Sequence, residues 1–183
     1  MKTESTAKYV LRLTLTLLII TTLVAASLAG VNSITKPEID RINAEKTQKA
    51  IEAVLPGGGE ALESFPDETG LVTAVYQGES GYAVQVAPAG FDGEIDMMVG
   101  VGSDGSVLGI SIISHTETAG LGAVAADSGE KGQAFRSQFT GLTGQVLVTK
   151  DGGTVEAITG ATITSRAVSQ GVTAALACVA DLG

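Results

Sequence analysis

The sequence contains few of the side chains that carry redox or metal chemistry. Its 183 residues include one cysteine, Cys178, one histidine, His115, and no tryptophan. A lone cysteine cannot close an intramolecular disulfide, and one cysteine with one histidine is too few ligands for a zinc or iron–sulfur site. The G-x-S-x-G and G-K-[ST] motifs are missing as well, which argues against a serine hydrolase or a nucleoside triphosphatase. We therefore predict no catalytic side chain and no metal site, and we expect a bound cofactor to supply any chemistry.

The charge excludes a second class of function. Twenty acidic and eleven basic residues give a formal net charge of −9. Such a surface repels phosphate backbones, so we expect no nucleic-acid partner. Aromatic residues make up only 4% of a chain that is 44% hydrophobic. The apolar content is therefore mainly aliphatic, and one long run near the N-terminus accounts for much of it.

That run, VLRLTLTLLIITTLVAASLAGV, extends over residues 10–31. It is long enough to cross a bilayer as a helix, which takes ~20 residues. The positive-inside rule predicts a cytoplasmic N-terminus because three basic residues lie at its start, namely Lys2, Lys8 and Arg12. The sequence thus predicts a cytoplasmic segment at 1–9, a single-pass anchor in the cell (inner) membrane at 10–31 and an exported domain at 32–183.

A cleaved signal peptide is the alternative interpretation of this run. Ser27, Leu28 and Ala29 form a small-residue site of the kind that signal peptidases cut. However, the apolar run exceeds the ~7 to 15 residues of a signal h-region, and helical periodicity continues beyond it. These two features favour an uncleaved anchor.

The remainder of the chain predicts an α+β domain in which helices flank a mainly antiparallel sheet. Gly, Asp and Ser turns separate four strand-like runs: LVTAVYQ, GYAVQVAP, IDMMVGVGS and SVLGISIIS. The Asp104–Gly105 pair between the last two runs is a hairpin signal. Two more strands are predicted at QVLVTK (145–150) and TVEAI (154–158). Apolar periodicity predicts helices over 39–55, within 120–139 and from 165 to the end.

Two segments contain candidate binding residues, and the first is ITGATITSRAV at 158–168. Here a predicted strand ends, Gly160 allows a sharp turn, and a helix begins among hydroxyl side chains. A helix N-terminus presents unpaired N–H groups and partial positive charge, so this junction is suited to a phosphate. On residue chemistry alone, a plain helix cap formed by Thr162 or Thr164 is the more common arrangement, because capping hydroxyls occur on most helices.

The second segment is SHTETAGLGAV at 114–124. Its two glycines, Gly120 and Gly122, permit close approach of the backbone to a ligand, and loops that leave strands commonly carry function. The alternative is an ordinary turn in which Glu117 is solvated and His115 lies on the surface.

Taken together, the two segments resemble the G subunit of the Rnf electron transport complex. Its exported FMN-binding domain is shared with the C subunit of the sodium-translocating NADH:quinone reductase. The resemblance extends over VNSITKPEI, AVLPG, GFDGEIDMMVGVGSDGSVLGISIISHTETAGLG and EAITGATITSRAV. The last stretch is the specific one, because it resembles the S/T-G-A-T motif in which a flavin transferase attaches FMN to the threonine through a phosphoester.

This resemblance implies covalent FMN on Thr162. A threonine hydroxyl is a poor nucleophile at neutral pH, so we expect a separate flavin transferase to supply the activation. The resemblance also implies an electron-relay subunit of an ion-translocating ferredoxin:NAD oxidoreductase, with no substrate turnover of its own, partnered by membrane and iron–sulfur subunits. We expect the flavin pocket to include residues of both segments: Glu117, Thr118, Gly120, Leu121, Thr159, Gly160, Ala161, Thr164 and Ser165.

The sequence departs from the family pattern at two positions. Ala119 stands where the ETPGLG loop has proline, and Glu156 stands where the attachment motif has aspartate. Three other functions remain open at this point: the C subunit of the quinone reductase, a stand-alone extracellular flavin reductase, and a membrane-anchored binding module without flavin.

Overall fold

The computed structural model describes residues 6–182, with side chains from residue 8 onward. A long helix comes first, five strands follow, and two further helices with two short 3₁₀ turns complete the chain. In chain order the elements are α1 (Thr6–Val54), β1 (Glu60–Ala61), β2 (Val72–Gly78), β3 (Gly81–Val86), β4 (Asp96–Gly102), β5 (Val107–Ser114), a 3₁₀ turn (Gly122–Ala126), α2 (Glu130–Ser137), a second 3₁₀ turn (Thr149–Asp151) and α3 (Thr162–Leu182).

Helix α1 contains the predicted anchor and is the one helix in the described part of the chain that is long and apolar enough to cross a membrane. Its large apolar side chains between Tyr9 and Val31 are exposed. The helix predicted over 39–55 is present to Val54, but it is the continuation of α1 and not a separate element, because α1 runs through Pro37 without a break. Ion pairs three or four residues apart, such as Arg41 with Glu38 and Glu45, favour helix in this stretch. The chain divides into two structural units, of which the first ends at Glu45 and the second begins at Lys46.

The second unit is built on an antiparallel meander, in which the strands lie in chain order from β1 to β5. This confirms the α+β prediction with an antiparallel sheet, and strands β2 to β5 coincide with the four predicted runs. The hairpin at Asp104–Gly105 is also confirmed. Gly105 takes φ +77°, and the Asp104 carboxylate accepts hydrogen bonds from Ser106 N at 3.0 Å and Ser106 Oγ at 2.7 Å.

Alternation along the strands gives the sheet two apolar faces. One face carries Val84 and Val99 and packs against α2 and α3. Phe139, which follows α2, is part of the same buried cluster. The other face carries Ala83 and Met98 and is covered by the last turn of α1 through residues such as Ile51. Gly100 permits this close contact, since a Cβ there would lie 2.4 Å from the carbonyl oxygen of Val54.

Three local predictions need correction. Residues 145–150 and 154–158 are not strands, since only an isolated parallel bridge joins Val148 to Val155. A sharp turn at 152–153 separates the two segments. The backbone N–H of Val146 donates a hydrogen bond to Thr173 Oγ1 of α3 and not to a neighbouring strand. The helix predicted within 120–139 is divided into a 3₁₀ turn and α2 by Asp127, Ser128 and Gly129. Helix α3 begins at Thr162, earlier than the predicted residue 165.

Candidate functional site

Thr162 is the first residue of α3 and follows a tight turn. Gly160 adopts φ +79° in that turn, a conformation that a side chain disfavours, and Ala161 N donates to Ile158 O at 2.9 Å. The first N–H groups of the helix have no acceptor within the helix. The half-buried hydroxyl of Thr162 therefore lies beside unpaired backbone donors.

The Thr162 hydroxyl also contacts a cation that the sequence did not predict. Lys150 Nζ donates to Thr162 Oγ1 at 3.0 Å. The short 3₁₀ turn that carries Lys150 is tied to α3 by a bidentate ion pair, in which both Arg166–Asp151 distances are 2.6 Å. No sequence pattern marks Lys150, because the two residues meet only when this turn packs alongside α3.

A cavity of about 310 Å³ opens at Thr162. This volume is near the lower limit of the ~300–1,000 Å³ typical of small-molecule sites. Thr162 and Lys150 supply polar lining, while Phe91, Leu121 and Ile163 supply apolar lining. These three apolar side chains are 65%, 42% and 50% exposed, respectively. The cavity thus combines a hydroxyl and a cation with apolar surface, which suits a ligand that has both an anionic group and an aromatic ring.

Seven of the ten predicted site residues line this cavity: Glu117, Thr118, Leu121, Gly160, Ala161, Thr162 and Thr164. The structure thereby brings together the two segments that the sequence marked. Gly120 and Thr159 instead line a neighbouring cavity of about 580 Å³ that also contains Phe135 and Ile158. Leu121 packs against the turn at Gly160, where a Cβ would be 3.0 Å from Leu121 Cδ2.

The Glu117 carboxylate is buried, so the interpretation of Glu117 as a solvated turn residue is wrong. Its Oε1 accepts hydrogen bonds from Phe91 N at 2.7 Å and from Asp92 N at 3.1 Å. Its Oε2 accepts a hydrogen bond from Thr164 Oγ1. Glu117 therefore joins the loop before β4, its own loop after β5, and the first turn of α3.

These hydrogen bonds also decide the charge of Glu117. Burial raises the pKa of its carboxyl group, but the bonds from Thr164, Asp92 and Phe91 and the nearby charge of His115 together lower the pKa below its ordinary value. The ionised form is thus the one that the fold stabilises. Gly90 and Gly122 make room for it, since a Cβ at either position would lie 2.3 Å from a Glu117 carboxylate oxygen.

The hydroxyl groups of Thr164 and Ser165 both form hydrogen bonds inside the protein. Thr164 donates to Glu117. Ser165 is fully buried, donates to Ala161 O at 3.0 Å and accepts from Ile158 N at 3.0 Å. Ser165 thus stabilises the turn that precedes Thr162, and neither hydroxyl can donate to a ligand without first losing its present bond.

We expect Ser165→Ala to destabilise the fold and Ser169→Ala to leave it unchanged or slightly more stable. Both serines are buried in α3, but Ser169 Oγ has no hydrogen-bond partner within the described part of the chain. Removing the Ser165 hydroxyl leaves Ile158 N unsatisfied, which costs about 1–3 kcal/mol. Urea unfolding of the full chain in detergent micelles measures both. Equal losses for the two variants would contradict the assigned role of Ser165.

Comparison with known proteins connects this cavity to a family. The FMN-binding domain family matches residues 90–177, a range that contains every residue lining the cavity. The G subunit of the Na⁺-translocating ferredoxin:NAD⁺ oxidoreductase complex of Acetobacterium woodii is 35% identical over 90% of this chain and 89% of its own length. The G subunit of the ion-translocating oxidoreductase complex of Methanosarcina acetivorans is 31% identical over 90% and 91%. The chain belongs to this family of G subunits. The Haemophilus influenzae member is 33% identical over 76% of this chain and 75% of its own length.

The residues present fit FMN as the cofactor of this G subunit. The Lys150 ammonium group and the N–H groups at the start of α3 would hold its phosphate. The isoalloxazine ring, which is flat and largely apolar, is matched by the exposed apolar lining of Phe91, Leu121 and Ile163. Within residues 8–182 no cluster of His, Cys, Asp and Glu is suited to hold a metal ion.

Proposed function

We propose that this G subunit is the electron relay of a membrane-bound, ion-translocating ferredoxin:NAD oxidoreductase complex and carries FMN on Thr162 through a phosphoester. The observation that carries the proposal is the position of Thr162 Oγ1, at a helix N-terminus, beside the Lys150 ammonium group and at the mouth of a partly apolar cavity. When bound, FMN supplies the redox chemistry, and the protein supplies attachment, orientation and charge.

Attachment requires a separate flavin transferase. A bond from Thr162 Oγ1 to the FMN phosphorus would form as the bond between that phosphorus and the leaving group of an activated FMN donor breaks, and the hydroxyl proton would pass to a base. Lys150, which donates to Oγ1, stabilises negative charge there but takes up no proton in its ammonium form. The base therefore belongs to the transferase, and the half-buried Thr162 remains within its reach.

We expect the Lys150 ammonium group to stabilise negative charge beside Thr162 both during and after flavin attachment. A phosphodiester carries one negative charge, which the ammonium group and the start of α3 both favour. We expect Lys150→Met to slow flavin incorporation by the transferase by about two- to fivefold, the effect of one exposed ion pair. Time courses of covalent flavin per protein measure this rate. Lys131→Met removes the same charge beside the neighbouring cavity and serves as the control; equal slowing in both variants would contradict a specific role for Lys150.

Placement in the membrane is part of the proposal. The apolar part of α1 anchors the protein, the basic residues at its start hold the N-terminus in the cytoplasm, and the FMN domain lies on the extracytoplasmic side. Other membrane and iron–sulfur subunits supply and receive the electrons. The relatives named as G subunits support this assignment over the C subunit of a quinone reductase.

The test is to coexpress the full chain with a flavin transferase and measure its intact mass. The proposal expects a mass gain of one FMN less water, and flavin fluorescence that persists in a denaturing gel. Tryptic cleavage after Lys150 and Arg166 isolates Thr162 in the single peptide 151–166, so fragmentation of that peptide identifies the modified side chain. An unmodified peptide in the coexpressed protein would instead favour an exported binding module without flavin.

A further inference from the structure

Phe91 is an aromatic residue that lies outside the two candidate binding segments, 114–124 and 158–168. It lies in the loop between β3 and β4, is 65% exposed and lines the same cavity as Thr162. A single exposed apolar side chain is ordinary, but Phe91 shares its cavity with two more, Leu121 and Ile163. The cluster gives the cavity an apolar surface in water, where an aromatic ligand would gain by covering it.

The loop that carries Phe91 is held in place by hydrogen bonds. Phe91 N and Asp92 N both donate to Glu117 Oε1, and Thr116 Oγ1 donates to Asp92 O at 2.7 Å. Within the loop, Gly90 N donates to Gly93 O at 2.7 Å. The backbone at Phe91 is therefore fixed, and only the phenyl ring is free to adjust.

The same carboxylate fixes Phe91 relative to the attachment site. Glu117 Oε2 accepts a hydrogen bond from Thr164, two residues after Thr162 in the first turn of α3. One buried side chain thus links the residue that would anchor a flavin to the aromatic residue that shares its cavity. This link makes Glu117 a positioning residue, whereas Phe91 is available for direct contact.

We propose that Phe91 packs against the isoalloxazine ring and holds it in one orientation, an inference that rests on the proposed attachment of FMN to Thr162. A phosphoester prevents loss of the cofactor but leaves the ribityl chain free to rotate, so the covalent bond alone does not position the ring. Electron transfer between fixed partners requires a defined ring position. Aromatic pairs supply it through offset-stacked or edge-to-face contact.

Leu121 and Ile163 do not replace Phe91 in this role. Leu121 already packs toward the turn at Gly160, and neither aliphatic side chain has the flat π surface that favours a stacked ring. The structure thus separates two tasks within the cavity: Lys150 and the start of α3 hold the phosphate, and Phe91 orients the ring.

The experiment compares Phe91→Ala, Phe91→Trp and Leu108→Ala in the full chain coexpressed with a flavin transferase. Leu108 is 38% exposed on β5 and does not line the cavity, so it controls for loss of an exposed apolar side chain. Covalent flavin per protein is measured first, on denatured samples. Iodide quenching of flavin fluorescence in the folded protein then measures access to the ring, and visible circular dichroism measures its fixed orientation.

We expect Phe91→Ala to raise the iodide quenching constant by roughly two- to tenfold, the range for loss of one aromatic pair. Its visible circular dichroism should weaken, while Leu108→Ala should match the wild type and Phe91→Trp, which keeps an aromatic ring at this position, should retain a strong visible dichroism signal. A fully flavinylated Phe91→Ala protein with unchanged quenching and dichroism would overturn the inference and leave the proposed function standing. Wild-type protein without covalent flavin would overturn both.

Discussion

Thr162→Ala should abolish covalent flavin incorporation, because it removes the oxygen atom that forms the phosphoester. The expected loss is complete rather than partial, since no other hydroxyl in the first turn of α3 is equally free. The hydroxyls of Thr164 and Ser165 are buried and bonded to Glu117, Ala161 and Ile158. In-gel flavin fluorescence and intact mass after coexpression with the transferase measure the result.

Two matched variants make the Thr162 experiment specific. Thr162→Ser keeps a hydroxyl and should retain flavin, whereas Thr159→Ala removes an exposed hydroxyl that lines the neighbouring cavity and should also retain flavin. Full incorporation in Thr162→Ala would refute Thr162 as the attachment site. Loss of flavin in Thr159→Ala alone would assign the attachment to Thr159 instead.

Glu117→Ala should produce the largest loss of stability among the site variants. It leaves the amides of Phe91 and Asp92 and the hydroxyl of Thr164 without their acceptor. An unsatisfied buried donor costs about 1–3 kcal/mol, and because only the Thr164 hydroxyl is buried while the two amides are partly buried, we expect a total of about 2–4 kcal/mol. The same substitution at exposed Glu63 should change the free energy of unfolding by less than about 0.5 kcal/mol.

Glu117→Gln should be milder, because an amide preserves most of the pattern. Its oxygen accepts from Phe91 N and Asp92 N, and its NH₂ group donates to Thr164 Oγ1 once that hydroxyl rotates. What the amide lacks is charge. A loss for Gln as large as that for Ala would show that the charge, and not the set of acceptors, holds the three segments together.

The charge of Glu117 makes its contribution dependent on pH. Because the pKa of Glu117 is lowered in the folded protein, its stabilising effect is fully present above the unfolded-state pKa of about 4.3 and is lost as the pH falls through the folded-state value. The difference in free energy of unfolding between wild type and Glu117→Gln should therefore be largest near neutral pH and shrink below about pH 4. Urea titrations in micelles over this range measure it, and a difference that grows on acidification would contradict the argument.

Local patterns in the sequence were sufficient for much of the fold. Strand-like runs bounded by Gly, Asp and Ser turns predicted strands β2 to β5, and the Asp104–Gly105 turn predicted their last hairpin. The same kind of pattern failed at 145–150 and 154–158, where short apolar runs look like strands but the backbone of Val146 bonds to a side chain of α3. The reason is physical, because a short apolar run indicates which side chains are buried and does not indicate which backbone serves as the hydrogen-bond partner.

The candidate site also has a part that local sequence predicts and a part that only the folded structure brings together. By itself the sequence determined the apolar run of α1, the antiparallel sheet, and the two segments that contain Thr162 and Glu117, since each depends on neighbouring residues. Tertiary structure alone decided that Lys150 meets Thr162 and that Glu117 faces inward, 47 residues from Thr164 and 26 from Phe91 along the chain. Such contacts exist only after the sheet has ordered its strands and α3 has packed on one face. No local periodicity encodes them, because they depend on the distances between folded elements.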